Sequence, residues 1–358
     1  MTCIVIDPYL VLLPNPCNSS DQLDNFVEGL LNWSEAIYRK ELPVFISDTC
    51  VNGLYQDKWI PFDGRLTTLL NKFDADNADE ETINLVLRNI LDRTPRLEDH
   101  LEIQDICFEE KTVNISPDLF LNRLGENTSK ALTETLALVG IGEKYLESIQ
   151  PECYFATNEC LDVDENDKVS SNVEVLLIEL SENSQFFVND ADFPIKLNHE
   201  LTVCFGYNNV LISMDVLDLW DEASSVGNVT DAINKMIILH REIGLPTDRK
   251  EFSIYTFGAH FLGSIHSYGF HARHDWARLL IESCARIILG IPKNDVEEFR
   301  EDERSQSAQR TRGSDRALAW RTHLTKSNEG FRLMFWTTAD GVIEFANIGP
   351  KKELIIFE

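Results

Sequence analysis

The chain has 358 residues, with 60 Asp and Glu against 32 Lys and Arg, and carries a formal charge of −28 at pH 7. Its 43% hydrophobic content is that of a globular protein, a length of this order suggests two domains, and no apolar run approaches the ~18 residues of a membrane span. A charge of −28 excludes a protein that coats nucleic acid over its whole surface, because phosphate repels it, and leaves local contact with a polyanion or docking on a protein partner with a basic surface.

Residues 3–6 form a short apolar run that ends in Asp7-Pro8 and read as a buried strand. From Asp21 to Arg39, Leu23, Phe26, Val27, Leu30 and Leu31 recur at helical spacing. Pro43 to Ser47 is a second apolar run, followed by Asp48, so strand, helix and strand open an α/β domain. Helices follow over 81–93 and 129–139. The acidic stretch Asp162 to Ser171 reads as a linker between an acidic α/β domain, 1–160, and an α+β domain, 172–358. In the second domain, 173–180, 201–205, 210–213 and 251–257 read as strands, and 228–242 and 275–289 as amphipathic helices. The chain closes in a β-hairpin, with 331–336 and 342–348 joined by Ala339-Asp340-Gly341, and a short third strand at 354–357.

The charge is uneven. Residues 1–250 carry −27, and 251–358 only −1. Within that tail, Arg304 to Arg332 holds seven cations against Asp315 and Glu329, a net +5. Six of the seven are arginine, whose planar fork suits bidentate phosphate contact. A helix beginning at Ser314 as cap would set Arg316 beside Trp320 and Trp320 beside His323. Cations interleaved with an aromatic face are what single-stranded nucleic acid requires. Arg310, Arg312, Arg316, Trp320, Arg321, Lys326 and Arg332 are therefore the expected nucleic-acid contacts, and His323 the acid or base for a metal-free, ribonuclease-type step. The alternative is that the arginines pair with the acidic body and Trp320 packs inward.

Eight cysteines lie scattered without a C-x-x-C pair and read as reduced, buried thiols of a cytosolic protein. The N-terminus has no basic region ahead of an apolar one, so no secretory signal is expected. His260, His266, His271 and His274 cluster in sequence, but their spacings match no metal-ligand motif. Neither a phosphate-binding glycine loop nor a nucleophile elbow occurs, so no cofactor and no metal are expected.

Two local resemblances bear on function. Ile4-Val5-Ile6-Asp7 and Val44-Phe45-Ile46-Ser47-Asp48 resemble the first strands of PIN-type nucleases, in which strand-end acids bind a divalent metal. Thr49 to Leu54, where that family places a Glu, holds no acid, which leaves such a site incomplete. The strands 331–336 and 342–349, with Arg332 and Lys351-Lys352 nearby, resemble the closing hairpin of RelE/ParE toxins, which faces messenger RNA or another target. Together they imply a nucleic-acid-targeting protein of a bacterial toxin or phage-defence system. A non-catalytic acidic interaction subunit of a multiprotein complex is the alternative.

Overall fold

The computed structural model describes the chain apart from residues 1–2, 40–41, 75–78, 102, 104–105, 109–113, 117–124, 146–152, 158–168, 181–193, 243–253, 301–307 and 326–329. The chain divides into two compact units, Met1–Ser213 and Met214–Glu358. The first is α/β and the second α+β.

The first unit is built on strands β1 (Cys3–Ile6), β2 (Val44–Phe45), β3 (Ile106–Phe108), β4 (Asn114–Ser116), β5 (Cys153–Thr157), β6 (Val169–Leu180) and β7 (Ile195–Phe205). Their order is β2-β1-β5-β7-β6-β3, with β4 also on β6. β2, β1, β5 and β7 run parallel, whereas β6 is antiparallel to β7, β3 and β4. Every residue of β1 and β5 is buried, as expected of strands flanked on both sides. Helices α1 (Ser20–Arg39), α2 (Asp48–Gln56), α3 (Arg65–Phe73), α4 (Glu80–Arg93), α5 (Leu97–Leu101), α6 (Glu126–Tyr145) and α7 (Gly206–Ser213) complete the unit. In α1, Leu23, Phe26 and Leu30 are buried as the periodicity predicts, with Trp33 and Ile37 continuing the face, whereas Val27 is half-buried and Leu31, at the edge of the stripe, is exposed. Leu132, Leu136 and Val139 of α6 join Val5, Phe155, Leu197 and Val203 of the sheet in one core.

The division between units falls at Ser213/Met214, not in the acidic stretch at 162–171. Residues 162–168 lie outside the described residues. The strands on either side of that stretch, β5 and β6, both hydrogen-bond to β7, so a boundary there would cut one sheet. The strand expected at 210–213 is the last turn of α7. Gly206, at φ 80°, turns the chain out of β7, and the Asn209 carboxamide oxygen accepts the Phe205 N–H at 3.1 Å, so the apolar run continues as helix.

The second unit has helices α8 (Val216–Trp220), α9 (Val226–Glu242), α10 (Phe261–Ser267) and α11 (His274–Ile288). Its strands are β8 (Tyr255–Phe257), β9 (Val296–Glu298), β10 (Leu318–His323), β11 (Phe331–Thr337) and β12 (Ile343–Pro350). They form one sheet in the order β8-β12-β11-β10-β9, antiparallel except for β8 on β12. The β11–β12 hairpin is where the sequence places it, with Gly341 at φ 81° in its turn. Phe331, Leu333 and Phe335 are buried, each contributing roughly 1.5–3 kcal/mol. Phe345 stacks near Phe257 and Phe261 on the same side.

Two expectations here are corrected. Residues 318–323 are strand β10, not part of a helix from Ser314: Ser314 lies in a turn, and Arg316 takes φ 62° there. Residues 354–357 form no strand. They are an extended tail held by side chains: Trp336 Nε1 donates to the Phe357 carbonyl at 2.7 Å, and Asn347 Nδ2 to the Ile355 carbonyl at 3.2 Å. Ile356 is buried beneath this strap with Met334, Trp336 and Ala346.

Candidate functional site

Because β10 is a strand, its side chains alternate between faces. Ala319, Arg321 and His323 point one way, and Trp320 and Thr322 the other. The stripe of Arg316, Trp320 and His323 therefore does not exist: Trp320 shares its face with its register partner Phe335, and Arg316 stands exposed in the preceding turn.

The arginines also separate. Arg312 is buried, with its side chain 10% exposed. Its Nε and Nη2 donate to Asp315 at 2.9 and 2.6 Å, and Nη1 donates to both carboxylate oxygens of Glu344 at 2.9 Å. Its guanidinium lies 5.3 Å from the Trp336 ring centre. Hydrogen bonds donated to Asp315, then to Glu344, push Arg312 further up, while Arg312 holds the Asp315 carboxyl down at about 2. Arg312 is thus a buried clamp and not a phosphate contact. Arg310 donates to the Leu354 carbonyl at 3.2 Å and fastens the strap. Lys326 lies outside the described residues.

What does converge is one end of the sheet. His323 pairs in register with Arg332, and Arg332 with Gly349, two residues before Lys351. Arg321, two residues before His323, shares its face. Arg332 Nη1 donates to the Lys351 carbonyl at 2.9 Å. Against these, Glu297 in β9 pairs with Arg321 at 3.2 Å. Burial lowers the pKa of His323; the Arg332, Lys351 and Arg321 charges push the same way, and Glu297 opposes them. These influences together favour the neutral form of the His323 ring. Arg332 has no carboxylate hydrogen-bond partner among the described residues, and Lys351 and Lys352 are exposed. Arg321, His323 and Arg332 were legible from the sequence, whereas Glu297 was not, since only the β9–β10 pairing brings it in.

The acids of the PIN-type resemblance are engaged. Asp7, at the end of β1, is fully buried and accepts from Thr157 Oγ1. Asp48 pairs with Arg96 at 2.8 Å, and its backbone N–H meets the Glu98 carboxylate. His266 and His271 stack with ring centres 4.5 Å apart, and His266 Nε2 lies 2.9 Å from the Ala223 carbonyl. Among the described residues no group of three His, Cys, Asp or Glu side chains is disposed to hold a metal. Cys50 and Cys284 are buried and in no disulfide, and burial pushes Cys50 up to about 12. No helix among the described residues is long and apolar enough to cross a membrane. Compared with known protein families, with curated proteins and with solved structures, the chain finds no match in any of the three.

Proposed function

We propose that this protein contacts nucleic acid through the basic end of its C-terminal sheet, with Arg332 and Lys351 on phosphates, Arg321 beside them and neutral His323 between. The observation that supports this most is the contrast between arginines. Arg312 is neutralised by two carboxylates, while Arg332 donates to a carbonyl and, among the described residues, hydrogen-bonds to no carboxylate, with Glu297 acting on it through charge alone. His323 is placed to accept a proton from a nucleophile, but among the described residues nothing supplies the complementary acid, as Glu297 is tied to Arg321. The reading is therefore binding and not cleavage. The setting in a bacterial toxin or phage-defence system rests on the two sequence resemblances.

The test is fluorescence anisotropy with labelled RNA and DNA oligonucleotides between about 50 and 300 mM salt, with the slope read above about 0.1 M. Two phosphate contacts give a log–log slope of about −1.4 on a single strand. Arg332→Ala with Lys351→Ala should flatten it and weaken binding at least about tenfold at low salt. An absence of binding at about 50 mM, or an unchanged slope in the double variant, rejects the proposal.

A second reading, a non-catalytic subunit docking a basic protein surface, rests on the charge of −24 carried by residues 1–213. It predicts polycation binding that salt reverses, in a chain with no affinity for oligonucleotides.

A further inference from the structure

The basic end of the sheet borders an aromatic cluster that the proposed phosphate contacts leave unused. Phe331, immediately before Arg332, pairs in register with Pro350, immediately before Lys351. On the opposite face from Arg332, the Phe331 ring lies 5.4 Å from Tyr268, 5.5 Å from Phe270 and 5.3 Å from Trp276. Phe331 and Phe270 are buried, but Tyr268 and Trp276 are only half-buried. Arg273, exposed, holds its guanidinium 3.5 Å from the Trp276 ring centre. Cations on one face and flat π-surfaces on the other thus meet at the same strand ends.

Resting on the reading above, we infer that the nucleic acid taken here is single-stranded, with one base stacked at Tyr268, Arg273 and Trp276 while the adjoining phosphates lie at Arg332 and Lys351. Stacking on aromatic and guanidinium planes needs a base released from a duplex. The two patches also lie on opposite faces joined around the sheet end. A single strand turns such a corner, whereas a duplex, stiff over ~150 base pairs, does not.

The experiment compares labelled 12-nucleotide RNA and DNA single strands with their duplexes on the full chain. Wild type should prefer the single strand by tenfold or more. Arg273→Ala, at an exposed position, and Tyr268→Ala, half-buried and so checked for folding by circular dichroism, should weaken single-strand binding roughly 5- to 100-fold, the range of one lost stacking contact. Their duplex binding should stay within about twofold. Trp276 fluorescence provides a second readout: the single strand should quench wild type and leave Trp276→Phe, checked for folding by circular dichroism, unresponsive. Equal or tighter duplex binding overturns the inference, as does single-strand affinity unchanged in both the Tyr268 and the Arg273 variants. In either case the loss of all binding in Arg332→Ala with Lys351→Ala would leave the phosphate reading standing. Failure of wild type to bind either form would remove both.

Discussion

Arg312→Ala separates a structural arginine from a functional one. Arg312 is 8% exposed, and its removal strands Glu344, whose side chain is only 20% exposed, beneath the turn at residues 312–316. Breaking a buried pair by deleting one partner costs about 3–5 kcal/mol when the remaining charge is fully enclosed. Glu344 keeps some access to water, which reduces this to about 2–4 kcal/mol. For a unit of this size that is a fall in melting temperature on the order of 10 °C. Differential scanning calorimetry should show it, and Arg312→Ala combined with Glu344→Gln should recover about half, because the neutral amide no longer needs a counter-charge. Oligonucleotide affinity, measured well below the transition, should match wild type. An unchanged melting temperature with a tenfold loss of binding would refute the reasoning, because the guanidinium would then be spent on an external anion and not on Glu344.

Two further stability predictions concern the first unit. Asp57 caps α6 from 70 residues away, accepting from the backbone N–H of Thr128 at 2.7 Å and from Asn127 Nδ2 at 2.7 Å; Asp57→Ala should cost about 1–2 kcal/mol in urea denaturation, and Asp57→Asn about half of that. His199 packs against Gly140 of α6 with neither ring nitrogen hydrogen-bonded among the described residues, and burial lowers it from 6.5 to about 4. The unfolded chain therefore binds a proton that the folded chain refuses, so stability is complete above about pH 6.5 and falls by roughly 3 kcal/mol as the pH drops to about 4. Denaturation midpoints at pH 5 and 7.5 should differ less in His199→Leu than in wild type; an equal difference would assign the acid sensitivity to other groups.

The elements legible in the sequence are those whose period is set by a single neighbouring layer. Leu23, Phe26 and Leu30 mark α1, and the residues flanking Gly341 mark the final hairpin, because each segment meets one apolar surface. Strand β10 was not legible. Leu318 to His323 lacks a clean apolar–polar alternation, since Ala319 shares its face with Arg321 and His323, and Ser314 with Arg316 and Trp320 fits a helix equally well until β9 and β11 supply the partners of β10. The fate of Arg312 was hidden for the same reason. Asp315, three residues on, was visible as a counter-charge, whereas Glu344 is 32 positions away and arrives only through the sheet register. His323 and Arg332 come together by that same register, so their meeting follows from the hairpin and β10 and not from the helical stripe.

A small cluster of cations such as Arg332 and Lys351 can work in a chain of −28 because electrostatics has a range. At about 0.15 M ionic strength the Debye length is about 8 Å, so a phosphate in contact with Arg332 and Lys351 senses them fully and senses distant carboxylates weakly. At about 0.01 M the length grows to about 30 Å, and the repulsion of the whole chain reaches the ligand. Affinity should therefore rise with dilution along the counterion-release line only down to about 0.1 M and flatten below it, unlike that of a uniformly basic protein. The flattening comes from the acidic residues of the chain as a whole, and its onset separates a local basic site from a non-specific polyanion binder. The slope that counts phosphate contacts must accordingly be read above that point.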